Sequence, residues 1–364
     1  MKEMKVPNMT RLFLCALLLL GCSMRCHAFM RHPKPQRALA AQKYSSSSVL
    51  RVGFFEDLFT KTAAPSRPKV QVPKDFVVPE PQPLALAKDT DLVDFAKSTL
   101  ALALRLGTGA FTLGWKIDTI FHDDDTTYSL KLGPFSIRDS SSVLNLAPRP
   151  SKPLILYQYD GSPFCKRVRE TINLLDLTVE YRPCPGARKG KFSDELFERT
   201  GRRTVPYLID PNTNTELFES GDQIEYLLKT YGPPESSFDR KALWPITFEA
   251  FSVTTSTLVA LLRGFPGSQK QPNARPDNEQ MQPLELWAYE SSPFVRPVRE
   301  KLDALCLPHI MVSCSRGSAN RDRMVARTGR FQVPFLVDPN TGLELFESTE
   351  IVKYLEAVYT LPQK

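Results

Sequence analysis

The chain repeats itself, and the repeat limits what it can fold into. Residues 154–177 read LILYQYDGSPFCKRVRETINLLDL, and residues 284–307 read LELWAYESSPFVRPVREKLDALCL. The copies stay in step for another fifty residues. R-T-G-R recurs at 199–202 and 327–330, V-P-Y-L-I-D-P-N-T at 205–213 returns as V-P-F-L-V-D-P-N-T at 333–341, and E-L-F-E-S occupies 216–220 and 344–348. A period this long is a duplicated domain rather than a solenoid. Each copy predicts an apolar β-strand, a helix opened by Ser-Pro, a second strand, a helix closed by Gly, two short strands and a last helix. The fold class that follows is α/β, two tandem βαβαββα modules. The echo STLALALRLG (98–107) and STLVALLRG (256–264) adds an extra helix upstream of each.

The boundaries follow from composition. Residues 154–235 and 284–364 are the modules. Residues 91–153 hold a helical candidate at 91–118 and a short β stretch at 128–137. Residues 236–283 hold a second helical stretch at 240–263 and a Pro/Asn/Gln linker. Residues 66–90 are a Pro-rich extended linker. Arg105, Glu249, Asp94 and Lys97 lie in or beside the two upstream helices, where charge is costly in lipid, so membrane association is not expected.

Residues 1–65 are set apart. Lys2, Lys5 and Arg11 precede the apolar run Leu12–Leu20, a small residue, Ala28, follows, and no acid occurs between Glu3 and Glu56. This is the pattern of a signal peptide followed by a basic, Ser-rich transit segment. With Phe29 after Ala28 it resembles the bipartite presequence of plastid proteins in algae with secondary plastids. The expectation is a plastid location, with secretion as the alternative. The net charge of +7 owes much to this region and comes with no basic helix or aromatic platform, so nucleic acid is not an expected partner. Four His, two of them near the N-terminus, offer no His-based metal site.

Of seven Cys, Cys165, Cys184, Cys306 and Cys314 lie beyond the leader, and no C-x-x-C occurs. The order of elements and the V-P before D-P-N-T resemble the thioredoxin fold, and more narrowly the N-terminal domain of glutathione S-transferases and the glutaredoxins. Nearest in pattern are plant and algal plastid proteins with two such domains in tandem. The family strings G-C-P-F-C-[RK]-x-V-R-E and Y-P-C-P are met here by GSPFCKRVRE and YRPCP. S-P-F-C with V-R-E, S-C, R-G-S and F-Q-V-P are met by SPFVRPVRE, SCSRGS and FQVP. The chain departs from the family at the first Cys, which is Ser162, and at the second module's Cys, which is Val295.

The resemblance implies a ligand, glutathione or another small thiol. Ser162 and Ser292 would stand at a helix N-terminus where an anion is favoured, and could hold a glutathione thiolate; read as residues alone, they are equally helix N-caps. Val205-Pro206 and Val333-Pro334 would be the cis-proline pairs that face a peptide ligand. Glu219-Ser220 and Glu347-Ser348, opening the last helices, would take the ammonium and carboxylate of the γ-glutamyl end; the alternative is a capping Ser beside a solvated Glu. Cys165 with Cys184 is a second reading, a thiol–disulfide oxidoreductase. A third is a non-catalytic module that binds a plastid protein. Arg167, Arg169 and Arg299 are expected to be surface or salt-bridged residues. The connector 236–283 is too short for the all-helical domain that holds a transferase's electrophile, so transferase or glutaredoxin-like activity is an open question.

Overall fold

The structure, a computed structural model, describes residues 70–73, 76–81, 92–120, 127–132, 135–187, 190–265, 267–276 and 281–362. The expected signal and transit segments, and most of the Pro-rich linker, lie outside the described residues.

The first module runs β4 (Leu154–Gln158), α2 (Pro163–Leu174), β5 (Val179–Pro183), α3 (Lys191–Thr200), β6 (Tyr207–Asp210), β7 (Thr215–Leu217) and α4 (Ser220–Tyr231). The second repeats it as β8 (Leu284–Ala288), α7 (Arg296–Ala304), β9 (His309–Ser313), α8 (Asn320–Thr328), β10 (Phe335–Asp338), β11 (Leu343–Phe346) and α9 (Ser348–Tyr359). That is the expected βαβαββα, twice. The stop signals act as read: Gly201 and Gly329 close α3 and α8 at φ of 71° and 74°, the left-handed conformation that glycine adopts without a steric cost. Both Val205–Pro206 and Val333–Pro334 bonds are cis.

The modules share one eight-stranded sheet in the order β11-β10-β8-β9-β5-β4-β6-β7. Within each module the first two strands are parallel, Leu154 opposite Val179 and Leu284 opposite His309. The seam is antiparallel: β5 meets β9 with Val179 opposite Met311, Glu180 opposite Ile310 and Tyr181 opposite His309. Each module thus closes the other's open edge, which would otherwise offer unpaired N–H and C=O groups. One apolar core, with Leu156, Val168 and Leu227 from the first module and Leu286, Val298 and Leu355 from the second, runs under α2, α4, α7 and α9. On the opposite face α3 and α8 cover separate clusters, Tyr157–Cys184–Phe192 and Trp287–Cys314–Phe335.

The flanking segments differ from expectation in two places. The helix expected over 91–118 is α1, Leu92–Leu104, and stops there. Gly107, Gly109 and Gly114 all take positive φ, and a strand, β1 (Trp115–Ile120), follows. It joins β2 (Leu130–Leu132) and β3 (Phe135–Ser141) in a three-stranded sheet ordered β1-β3-β2. Gly317 of the R-G-S string lies tight against this region: a Cβ there would come within 2.4 Å of the Thr112 hydroxyl. The stretch expected over 240–263 is broken: a run over Arg240–Thr247, ending in α5 (Trp244–Thr247), meets α6 (Glu249–Leu262) at a bend of 47°. Among the described residues no single helix is long and apolar enough to cross a membrane.

Candidate functional site

The two Ser-Pro-Phe strings begin their helices differently. Ser162 is the N-cap of α2; its hydroxyl accepts a hydrogen bond from the Cys165 N–H at 3.2 Å, and Pro163 is the first helical residue. In the second module the helix starts one turn later, at Arg296. The cause is Pro297, which stands where the first module has Arg167. A helix begun at Pro293 would put Pro297 in its interior, without an N–H and against the preceding turn; begun at Arg296 it puts the proline in the first turn, where it is tolerated. The Ser292 carbonyl still accepts the Arg296 N–H at 3.3 Å, as the Ser162 carbonyl accepts that of Lys166 at 3.0 Å, but the Ser292 side chain caps nothing. It is fully buried and its hydroxyl has no hydrogen-bond partner among the described residues. Ser162 is only 3% exposed. The serine reading is corrected to this extent: neither hydroxyl faces solvent.

Both Ser-Pro-Phe ends turn toward the seam, and between them lies a buried ion network. Glu290, just before the second string, takes Arg169 at 3.0 Å, Lys166 at 3.1 Å and Arg299. Asp160, its counterpart, takes Arg169 at 3.2 Å and Arg299 at 3.1 Å. The last Glu of each V-R-E string pairs with the Arg ending an upstream helix: Arg105–Glu170 at 2.5 Å and Arg263–Glu300 at 2.7 Å. Each module also satisfies the other's backbone. The Asp160 N–H donates to Asp303 at 2.5 Å, and the Glu290 N–H donates to the Asn173 side chain at 2.9 Å. Arg167, Arg169 and Arg299, expected on the surface or in salt bridges, are salt-bridged but all buried.

Burial alone would raise the Glu290 carboxyl, but Arg169, Arg299 and Lys166 outweigh it and hold it well below the carboxylate range. Asp303 goes the other way. Burial, and then the neighbouring Asp160 charge, push it well above that range. Such a network is strongly destabilised by removing one partner.

The thiols are quiet. Among the described residues Cys165, Cys184, Cys306 and Cys314 form no disulfide, and all are buried. Burial pushes the Cys165 thiol up to about 11, and burial likewise raises Cys184. A reactive cysteine needs the reverse, a lowered pKa and access. Cys165 rides on α2, while Cys184 packs in the cluster under α3 with Tyr157 and Phe192, its Sγ directed at the Arg182 carbonyl. Cys165 is among the influences that raise Cys184, so the two thiols are neighbours as expected, but burial holds both thiols high.

The other end of each expected ligand site is at the start of the last helix, and here the modules part again. In the first, Ser220 is 5% exposed and Glu219 is exposed. Arg167 reaches the Ser220 hydroxyl at 3.4 Å and the Glu249 carboxylate at 2.7 Å. Glu249 lies 4.0 Å from where a Cβ on Gly221 would stand, so it sits over the α4 N-terminus. The connector helix thus supplies its own carboxylate where a ligand's would go. Gln223 ties the half-buried Val205 and its buried Pro206 to this helix, donating to the Pro206 carbonyl at 2.9 Å. In the second module Ser348 and Val333 are part-exposed and Pro334 is buried. Glu347 has φ of +71°, a strained value for a non-glycine residue, and its carboxylate receives Gln332 at 2.5 Å.

The sequence pointed to the serines and the Glu-Ser pairs but not to Asp160, Glu290, Asp303, Glu249 or the upstream Arg105 and Arg263 as their neighbours. The repeated R-L-G and R-G after the upstream helices was the one available signal.

Comparison with known proteins agrees with this architecture. The family described as glutathione S-transferase, N-terminal domain, matches residues 156–235 and again 286–363. The chain is a tandem glutathione S-transferase N-terminal-domain protein. Among solved structures, a Bombyx mori glutathione transferase in complex with GTT is similar at 23% identity over 26% of this chain and 42% of that one, with a TM-score of 0.21. The match thus spans less than half of that transferase. No curated protein matches. In this tandem protein the domain that transferases carry once is present twice, edge to edge.

Proposed function

We propose that this protein binds glutathione, or another short γ-glutamyl thiol peptide, by its peptide end, and that it neither transfers glutathione nor exchanges disulfides. The site is the start of α9: Ser348, Glu347 and the backbone of Val333. The observation that carries this reading is the contrast between the two last helices. The α4 N-terminus is covered by Glu249 and Arg167, whereas Ser348 at the α9 N-terminus is part-exposed and preceded by the strained Glu347. A helix N-terminus with a hydroxyl favours a carboxylate, and backbone strain of this kind concentrates at ligand clamps. The buried Ser162, Ser292 and Cys165 support binding without chemistry. The leader pattern in residues 1–65 supports a plastid as the place of action.

Calorimetric titration of reduced glutathione into the full chain tests this. One saturable site is expected, lost in Ser348→Ala and kept in Ser220→Ala. Absence of heat from folded protein, or loss with Ser220→Ala instead, overturns it and leaves a protein partner as the better ligand class.

A further inference from the structure

Beside the seam lies a cavity of about 10 Å³, lined by Asp160, Ser162, Ser256, Arg263, Glu290 and Arg296 among others. That is room for roughly one water-sized particle. Arg296 is the unusual member. It is 3% exposed, and its buried Nε has no hydrogen-bond partner among the described residues; the Asp160 and Glu290 charges act on it only from a distance. Arginine stays charged in proteins and is almost never buried unpaired. The Ser256 hydroxyl, 1% exposed, also has no partner.

The imbalance has a source in the repeat. Lys166 is the counterpart of Arg296, and it is satisfied by Glu290 at 3.1 Å and Glu170 at 3.3 Å. For Arg296 the equivalent carboxylates are Asp160 and Glu300. Glu300 is taken by Arg263 through two contacts, at 2.8 and 2.7 Å. Asp160 is one methylene shorter than Glu290, and its ion pairs go to Arg169 and Arg299. Every carboxylate in reach is thus engaged, and one buried cation is left facing a polar cavity beside the Ser162 N-cap and the start of α2.

We propose that this cavity binds one small monovalent anion of chloride size, held by the Arg296 guanidinium and the Ser256 hydroxyl. The ion restores in the second module the charge balance that Glu290 provides in the first.

Thermal melts of the full chain at constant ionic strength, in sodium chloride, bromide or gluconate, test it. The melting temperature is expected to rise saturably with chloride and with bromide over gluconate. Asp160→Glu supplies the missing methylene, so its melting temperature should be raised in gluconate and no longer respond to chloride. Arg296→Met should lose the response as well. A wild-type protein indifferent to the anion means the cavity holds water, and overturns the proposal. So does a chloride response that persists in Asp160→Glu, a variant that keeps the fold if Arg296→Met does not.

Discussion

The two modules share a backbone plan and differ most tellingly at one pair of positions, Arg167 and Pro297. Arg167 allows α2 to start at Pro163, lets Ser162 cap it, and clamps Glu249 over the start of α4. Pro297 delays α7 to Arg296, strips the Ser292 side chain of a capping role, and provides no cation to draw a carboxylate over α9. A duplicated fold can therefore keep both copies intact while covering the start of one last helix and leaving that of the other part-exposed. What the copies still share is the seam, where symmetric V-R-E strings and cross-bonded backbones make each module part of the other's interior.

The comparison breaks most severely at Glu290. Glu290→Gln leaves Arg169, Arg299 and Lys166 short of a buried counter-charge, and should cost about 3–5 kcal/mol in urea unfolding. A loss under about 1 kcal/mol would mean that the network is not what joins the modules.

The seam strands offer a pH test. His309 stands in β9 where β5 has Val179, and stacks edge-on against Tyr181 at 5.4 Å. Burial first, and then the Arg299 charge, push it down to about 4. The unfolded state takes up a proton near pH 6.5, the folded state not until about 4. His309 therefore costs nothing above pH 6.5 and destabilises progressively as pH falls toward 4. Over that window the wild type should lose roughly 3 kcal/mol more than His309→Val, which borrows the first module's residue. Parallel pH profiles for the two proteins would contradict the burial of this imidazole.

The smallest contrast is at the serines. Ser162→Ala removes a helix cap and should cost about 1 kcal/mol. Ser292→Ala removes a buried hydroxyl with no partner and should cost nothing or stabilise slightly. Equal losses at both sites would mean that the two helices start alike.

Much of this was legible in the sequence, because repetition at matched spacing is a local signal. The strand–helix order, the Gly stops and the Val-Pro pairs all follow from residue types acting on their own neighbours. The seam does not. Nothing in TVEYRPC or PHIMVSC names a partner edge, and a V-R-E string on a helix reads as a solvated face until something covers it. Arg105 and Arg263 carry the same lesson. Each stands just past an apolar helix, and its partner lies on another element 65 or 37 residues away. The overlong helix expected over 91–118 arose from apolar periodicity, which three glycines overrode.

The measurement that goes most directly to the contrast between modules is the stoichiometry of glutathione binding before and after Glu249→Ala. Glu249 is largely solvent-exposed, so its removal should leave the fold intact while freeing Arg167 and Ser220. One site in the wild type, sensitive to Ser348→Ala, and two in the variant, are the predicted result. Two equal sites in the wild type, or none gained on removing Glu249, would contradict the claim that one copy closes its ligand position with its own carboxylate.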